Sequence, residues 1–136
     1  MNRKNQKSFT LVELLAVIMI IAAVAGFAIP NYSRSVERAH EQDGLTQLRA
    51  IHAANQIFNA RTNSYWPADA GAYTVNDINT NLGLNIIESG MAYACSGTDG
   101  TTFDCTATRA GGSFTLTVDE NPLSAANPSC TGGDCP

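Results

Sequence analysis

The chain has 136 residues and a formal charge of −4, enough for one modest domain and too short for two. Three of its eight basic residues (Arg3, Lys4, Lys7) precede Phe9; beyond Ser8, five arginines face twelve acids, a balance of −7 without a single lysine. An acidic body of this kind repels a phosphate backbone, so nucleic acid is not an expected partner.

Residues 1–8 ("MNRKNQKS") are short, polar and basic. An apolar run of 21 residues follows from Phe9 to Ile29, and Glu13 is the one charge inside it. At about 1.5 Å per residue a helix of this length covers the ~30 Å hydrocarbon core of a bilayer. The basic residues ahead of it would hold the N-terminus in the cytoplasm and send the remainder outward. Pro30 removes a backbone donor and predicts a kink in a continuing helix.

Residues 33–61 change character. Val36, Ala39, Leu45, Leu48, Ile51 and Phe58 recur at helical spacing, with Arg38, Glu41, Gln42, Arg49 and Gln56 on the other faces. This predicts an amphipathic helix with one apolar stripe, weakened at Gly44 by about 1 kcal/mol relative to alanine. "NSYWPADAGAY" reads as a loop, and "NDINTNLGL" as a short helix capped by Asn76 and stopped at Gly83. Three strand-like runs follow at 91–95, 103–109 and 113–119, separated by turn material, which predicts an antiparallel meander. The tail "ENPLSAANPSCTGGDCP" carries three prolines and no periodicity and reads as a surface loop. The predicted fold is α+β: one long helix whose second half buries its stripe on a small antiparallel sheet. Its first half has no such partner in the chain and must face lipid or other copies of itself.

All four cysteines (Cys95, Cys105, Cys130, Cys135) lie in the last 42 residues, behind an apolar N-terminus, and read as disulfides of an exported domain. A four-thiolate zinc site would show short C-x2-C pairs, which are absent. Four cysteines allow three pairings. Sheet pairing would bring Cys95 near Cys105, and the glycines of "TGGD" permit a tight loop between Cys130 and Cys135, so this connectivity is expected over a longer loop joining tail to sheet.

No catalytic constellation is present. His40 and His52 are twelve residues apart on one helix and cannot share a metal, and "HEQDG" has Gly44 where a second histidine would be needed. "NYS" at 31–33 fits a glycosylation pattern by chance. Asp99, Asp104, Asp119 and Asp134 read as solvated turn acids, with calcium ligation as the alternative. No cofactor, metal or enzymatic activity is expected.

The N-terminus has two readings. An ordinary signal peptide would use "AVA" at 23–25 as its cleavage site and leave a chain beginning at Gly26. Against it, the apolar run continues to Ile29, and Glu13 interrupts it at a cost of roughly 2.5–3.5 kcal/mol on membrane-insertion scales. "KSFTLVELLAV" resembles instead the N-terminal signature of the type IV pilin and pseudopilin superfamily, of the type IVa class. The resemblance implies cleavage by a prepilin peptidase between Ser8 and Phe9, N-methylation of Phe9, and a role in assembly for Glu13, four residues on. The family usually has glycine before the cut where this chain has Ser8, a residue small enough for the same pocket. Pro30 and Tyr32 also fall where these proteins commonly carry proline and tyrosine.

The implied organisation is a leader (1–8), a transmembrane and filament-core half-helix (9–32), an amphipathic half-helix (33–61) and a sheet-bearing head (62–136). The implied function is that of a structural subunit of a type IV pilus, serving adhesion, twitching motility or DNA uptake. A pseudopilin of a type II secretion system and a monomeric exported binding domain are the alternatives. Expected partners are further copies and minor pilins, the prepilin peptidase, the assembly machinery of the cytoplasmic membrane, and membrane lipid before assembly. The precursor would be a single-pass inner-membrane protein and the product an extracellular filament.

Overall fold

The computed structural model describes residues 9–112, 114–133 and 135, without the side chains of residues 27–31. Its elements in chain order are α1 (Leu11–Thr62), β1 (Ala72–Thr74), α2 (Val75–Leu82), β2 (Met91–Gly97), β3 (Phe103–Arg109), β4 (Phe114–Asp119) and β5 (Ser129–Gly132). The five strands form one antiparallel sheet in sequence order. Contacts divide the chain into two compact units, the first ending at Glu37 and the second beginning at Arg38.

In the second unit the sheet has one buried face. Met91, Tyr93 and Cys95 of β2, Phe103, Cys105 and Ala107 of β3, and Phe114, Leu116 and Val118 of β4 all point inward. That two-residue alternation was legible, because strand side chains alternate between faces. Helix α1 covers this face through Glu41, Gly44, Leu48, Ile51, His52 and Asn55, spaced by one to four residues along one side. Burying Leu48 and Ile51 contributes about 1.5–3 kcal/mol each.

The inward line differs from the predicted stripe. Ala39 is exposed, Leu45 and Phe58 only border the core, and polar Asn55 is fully buried. Gly44 is a contact point rather than a local weakness. A β-carbon there would come within 2.9 Å of Leu116 Cδ1 and 3.0 Å of Met91 Cε. The helix approaches Leu116 and Met91 closely here because it has no side chain.

Two strands were not expected. β1 lies in the segment read as a loop and β5 in the tail read as a surface loop. Each pairs with an outer strand of the predicted meander: β1 on β2 (Tyr73 opposite Cys95) and β5 on β4 (Cys130 opposite Leu116). Helix α2 is capped by Thr74 rather than Asn76. The Asp77 carboxylate accepts the Thr74 backbone N–H at 3.0 Å and its hydroxyl at 2.9 Å. It ends at Gly83, whose φ of 67° is readily adopted only by glycine.

Tyr93 carries a prediction. It is 3% exposed, and among the described residues its hydroxyl has no hydrogen-bond partner. Burial, with Asp43 and Glu88 adding negative charge, pushes the phenol up to about 12. The unfolded chain ionises near pH 10, so this group's contribution to stability is intact below pH 10 and is lost as pH rises through 12. Tyr93→Phe should remove that alkaline loss. At pH 7 it should be neutral or stabilising by up to ~1 kcal/mol, since it deletes an unsatisfied buried donor. Urea unfolding at pH 7 and pH 11 checks both; a loss of 2 kcal/mol or more at pH 7 would show that the hydroxyl is satisfied.

Candidate functional site

The N-terminal part of α1 is apolar on every face. Phe9 is 85% exposed, Leu11 80% and Val24 62%, and Val12, Leu14, Leu15, Val17, Ile18, Met19, Ile20 and Ile21 are exposed between them. A contiguous surface of this size marks a membrane or protein interface. Among the described residues no helix is long and apolar enough to cross a membrane. The side chains of residues 27–31 lie outside the described residues, so the run from Phe9 to Ile29 is described only in part.

Glu13 sits in the first turn of α1. Its Oε2 accepts the Thr10 backbone N–H and the Thr10 hydroxyl, both at 3.0 Å, and its own N–H donates to Thr10 Oγ1 at 3.3 Å. This is a reciprocal capping box. It settles donors that the first turn would otherwise leave unpaired, and an acid is favoured at a helix N-terminus in any case. Thr10 is not among the residues expected above, although Thr-x-x-Glu ahead of an apolar run is the signal for such a cap. The carboxylate spends Oε2 on the cap, and among the described residues Oε1 has no partner.

The other expected positions are distributed as follows. Ser8 lies outside the described residues. Helix α1 continues through Pro30 without a break. Cys95 and Cys105 stand opposite each other on β2 and β3, with Cα atoms 4.1 Å apart, and are joined on the buried face. Cys130 and Cys135 are joined at 5.9 Å, closing the tail on itself. The tail is held to the sheet by the β4–β5 ladder instead of a disulfide.

The candidate calcium acids do not converge. Asp99 is bound within its own turn, accepting from the Thr101 N–H at 3.0 Å and the Thr101 hydroxyl at 2.5 Å. These bonds hold its carboxyl below the usual range. Asp104 and Asp119 are cross-strand partners, and Asp134 lies outside the described residues. Among the described residues no group of three or more His, Cys, Asp or Glu is placed to hold a metal ion.

Residues 3–29 match the prokaryotic N-terminal methylation motif. The chain is 34% identical over 64 residues to the type IV major pilin protein PilA of Myxococcus xanthus, covering 47% of this chain and 29% of that protein. It is 28% identical over 71 residues to the type II secretion system core protein G of Aeromonas hydrophila, covering 52% and 50%. The chain thus spans half the length or less of these two relatives. With the type IV wide pilus major component PilA4 of Thermus thermophilus it is 30% identical over 94 residues, covering 68% of this chain and 72% of that protein. With the methylation motif at the head of an exposed apolar helix, and an antiparallel sheet packed on that helix's second half, the chain belongs to the type IV pilin and pseudopilin superfamily, whose members are structural proteins and not enzymes.

Proposed function

We propose that this protein is a structural subunit of a type IV pilus, cut between Ser8 and Phe9, methylated at Phe9, and assembled through its N-terminal helix. Membership of the family implies processing by a prepilin peptidase, passage through a membrane precursor and self-assembly into a filament. The observation that carries the reading is the helix exposed on all faces from Leu11 to Val24, which in water must find a cover. Residues 9–32 would serve as membrane anchor and then filament core, and residues 33–61 as the helix half that carries the head at 62–136. Further copies, minor pilins and the assembly machinery of the cytoplasmic membrane would be its partners, and the filament would be extracellular. The match over most of a major pilus component supports the pilus reading. A second reading, a type II secretion pseudopilin, is supported by the similarity to core protein G.

Mass spectrometry of the mature N-terminus tests the shared part. The expected chain begins at methylated Phe9; one beginning at Gly26 would replace this reading with an ordinary signal peptide. Electron microscopy then separates the two machines. Long surface fibres containing this chain are expected, and their absence from cells with an intact secretion system would favour the pseudopilin.

A further inference from the structure

Within the unit that begins at Arg38, two features of opposite character lie on opposite flanks of α1. On one flank His52 Nε2 meets the Asn121 carbonyl at 2.9 Å, and the Gln56 amide donates to the Glu120 carbonyl at 3.2 Å. Arg61 comes nine residues after His52, about two and a half helical turns, and so faces the opposite way. There Ala50, Ala54, Ile57 and Arg61 line an apolar groove with Leu82, the last residue of α2, and Leu84 just beyond it. Ile57 is 54% exposed within it. Arg61 stands in the last turn of α1 and, among the described residues, has no hydrogen-bond or ion-pair partner.

The flank that His52 and Gln56 touch leads to the acidic end of β4. Asp104 and Asp119 stand opposite each other across β3 and β4, and with Glu120 they line one shallow pocket that no arginine lines. Burial and the charges of Asp119 and Glu120 raise the Asp104 carboxyl above its usual range, the mark of negative charge without compensation. Leu123 follows three residues after Glu120 and is exposed to water. One flank therefore offers an apolar groove ending in an unpaired cation, and the other an exposed leucine following carboxylates that no cation neutralises among the described residues, Asp119 accepting from Asn121 and Asn127 and Glu120 from the Phe103 N–H.

We infer that the groove receives the Glu120–Leu123 corner of a second copy of this chain, with Leu123 covering Ile57 and Arg61 facing the carboxylates of Glu120 and Asp104. Charge complementarity selects this occupant, because each flank relieves the electrostatic cost of the other. The two patches belong to different surfaces of one unit and cannot meet within a chain. The contact is therefore head-to-tail, the interface type that propagates as a helical filament when its rotation does not close a ring. The inference rests on the filament reading above and names a contact between the sheet-bearing heads of neighbouring subunits that would hold the outer layer together.

The test uses the full-length chain in cells that assemble it. Arg61→Glu should lower filament yield about tenfold by setting like charges against each other. Adding Glu120→Arg in the same chain should restore it. Arg49→Glu changes the net charge equally but lies outside the groove, and should leave the yield within about twofold. Wild-type yield from Arg61→Glu overturns this contact and leaves the pilus reading intact, whereas the absence of filaments from the unaltered chain overturns that reading itself. Glu120 also accepts the Phe103 N–H at 3.4 Å, so a cysteine pair decides the case independently. Ile57→Cys with Leu123→Cys should give a ladder of covalently linked subunits from intact filaments on non-reducing gels, and neither single variant should. Filaments that yield no ladder overturn the contact.

Discussion

Glu13→Val is expected to abolish filaments while leaving membrane insertion and leader cleavage nearly unchanged. Cleavage at Ser8 frees an α-amine on Phe9 that stays able to carry a positive charge after methylation. Glu13 follows four residues later, a rise of about 6 Å. When a subunit joins, its amine enters a bundle of apolar helices, where a lone charge is costly. The carboxylate of a subunit already in place can neutralise it. Breaking a buried pair by removing one partner costs ~3–5 kcal/mol, more than a hundredfold in an assembly constant. The Thr10–Glu13 cap is the competing use of this acid. An N-cap arrangement is worth only ~0.5–2 kcal/mol, so a defect limited to the cap would be small and would appear as lower helicity. Surface filaments counted by electron microscopy, with the cleaved chain measured in membranes, separate the two. Mixed expression with the wild-type chain should give few mixed filaments. Abundant filaments built from Glu13→Val protein alone would show that the acid serves another purpose.

The largest effect on the head should come from Asn55→Leu. Asn55 is fully buried, and its amide holds the chain where it turns back after α1. Its Nδ2 donates to the Trp66 carbonyl at 2.6 Å, and its Oδ1 accepts the Trp66 N–H at 2.8 Å. Leucine has similar bulk but leaves both backbone groups of Trp66 buried without partners. Each unsatisfied group costs ~1–3 kcal/mol, so the loss should be about 3 kcal/mol, or a fall of at least ~10 °C in melting temperature. Circular dichroism of the purified chain measures it. A melting temperature within 2 °C of wild type would mean that water or a shifted loop replaces the amide.

The sequence legibly specified whatever rests on local periodicity or on a fixed local motif. The alternation of Met91, Tyr93 and Cys95, and of Phe103, Cys105 and Ala107, defines two strands and the face they bury. Thr10 and Glu13 define a helix start, and "KSFTLVELLAV" places the chain in its family through residues 7–17. The candidate assembly helix was legible for the same reason, since a segment apolar on all faces needs no tertiary context to be noticed.

Tertiary structure alone decided the rest. β1 and β5 are three and four residues long, too short to show a period. They are strands because β2 and β4 present unpaired backbone groups at their outer edges, and buried backbone groups must find partners. The side of α1 that turns inward was only partly readable from hydrophobicity: Leu48 and Ile51 of the expected stripe are fully buried on it, and Leu45 and Phe58 border it. Gly44 and Asn55 lie on it because one lets the helix approach Leu116 and Met91, and the other satisfies the Trp66 backbone. Both are roles defined by a neighbour distant in sequence. The groove beside Arg61 and the acidic corner before Leu123 also exist only once the helix and sheet are packed, because packing sets which charges lie on opposite flanks of α1.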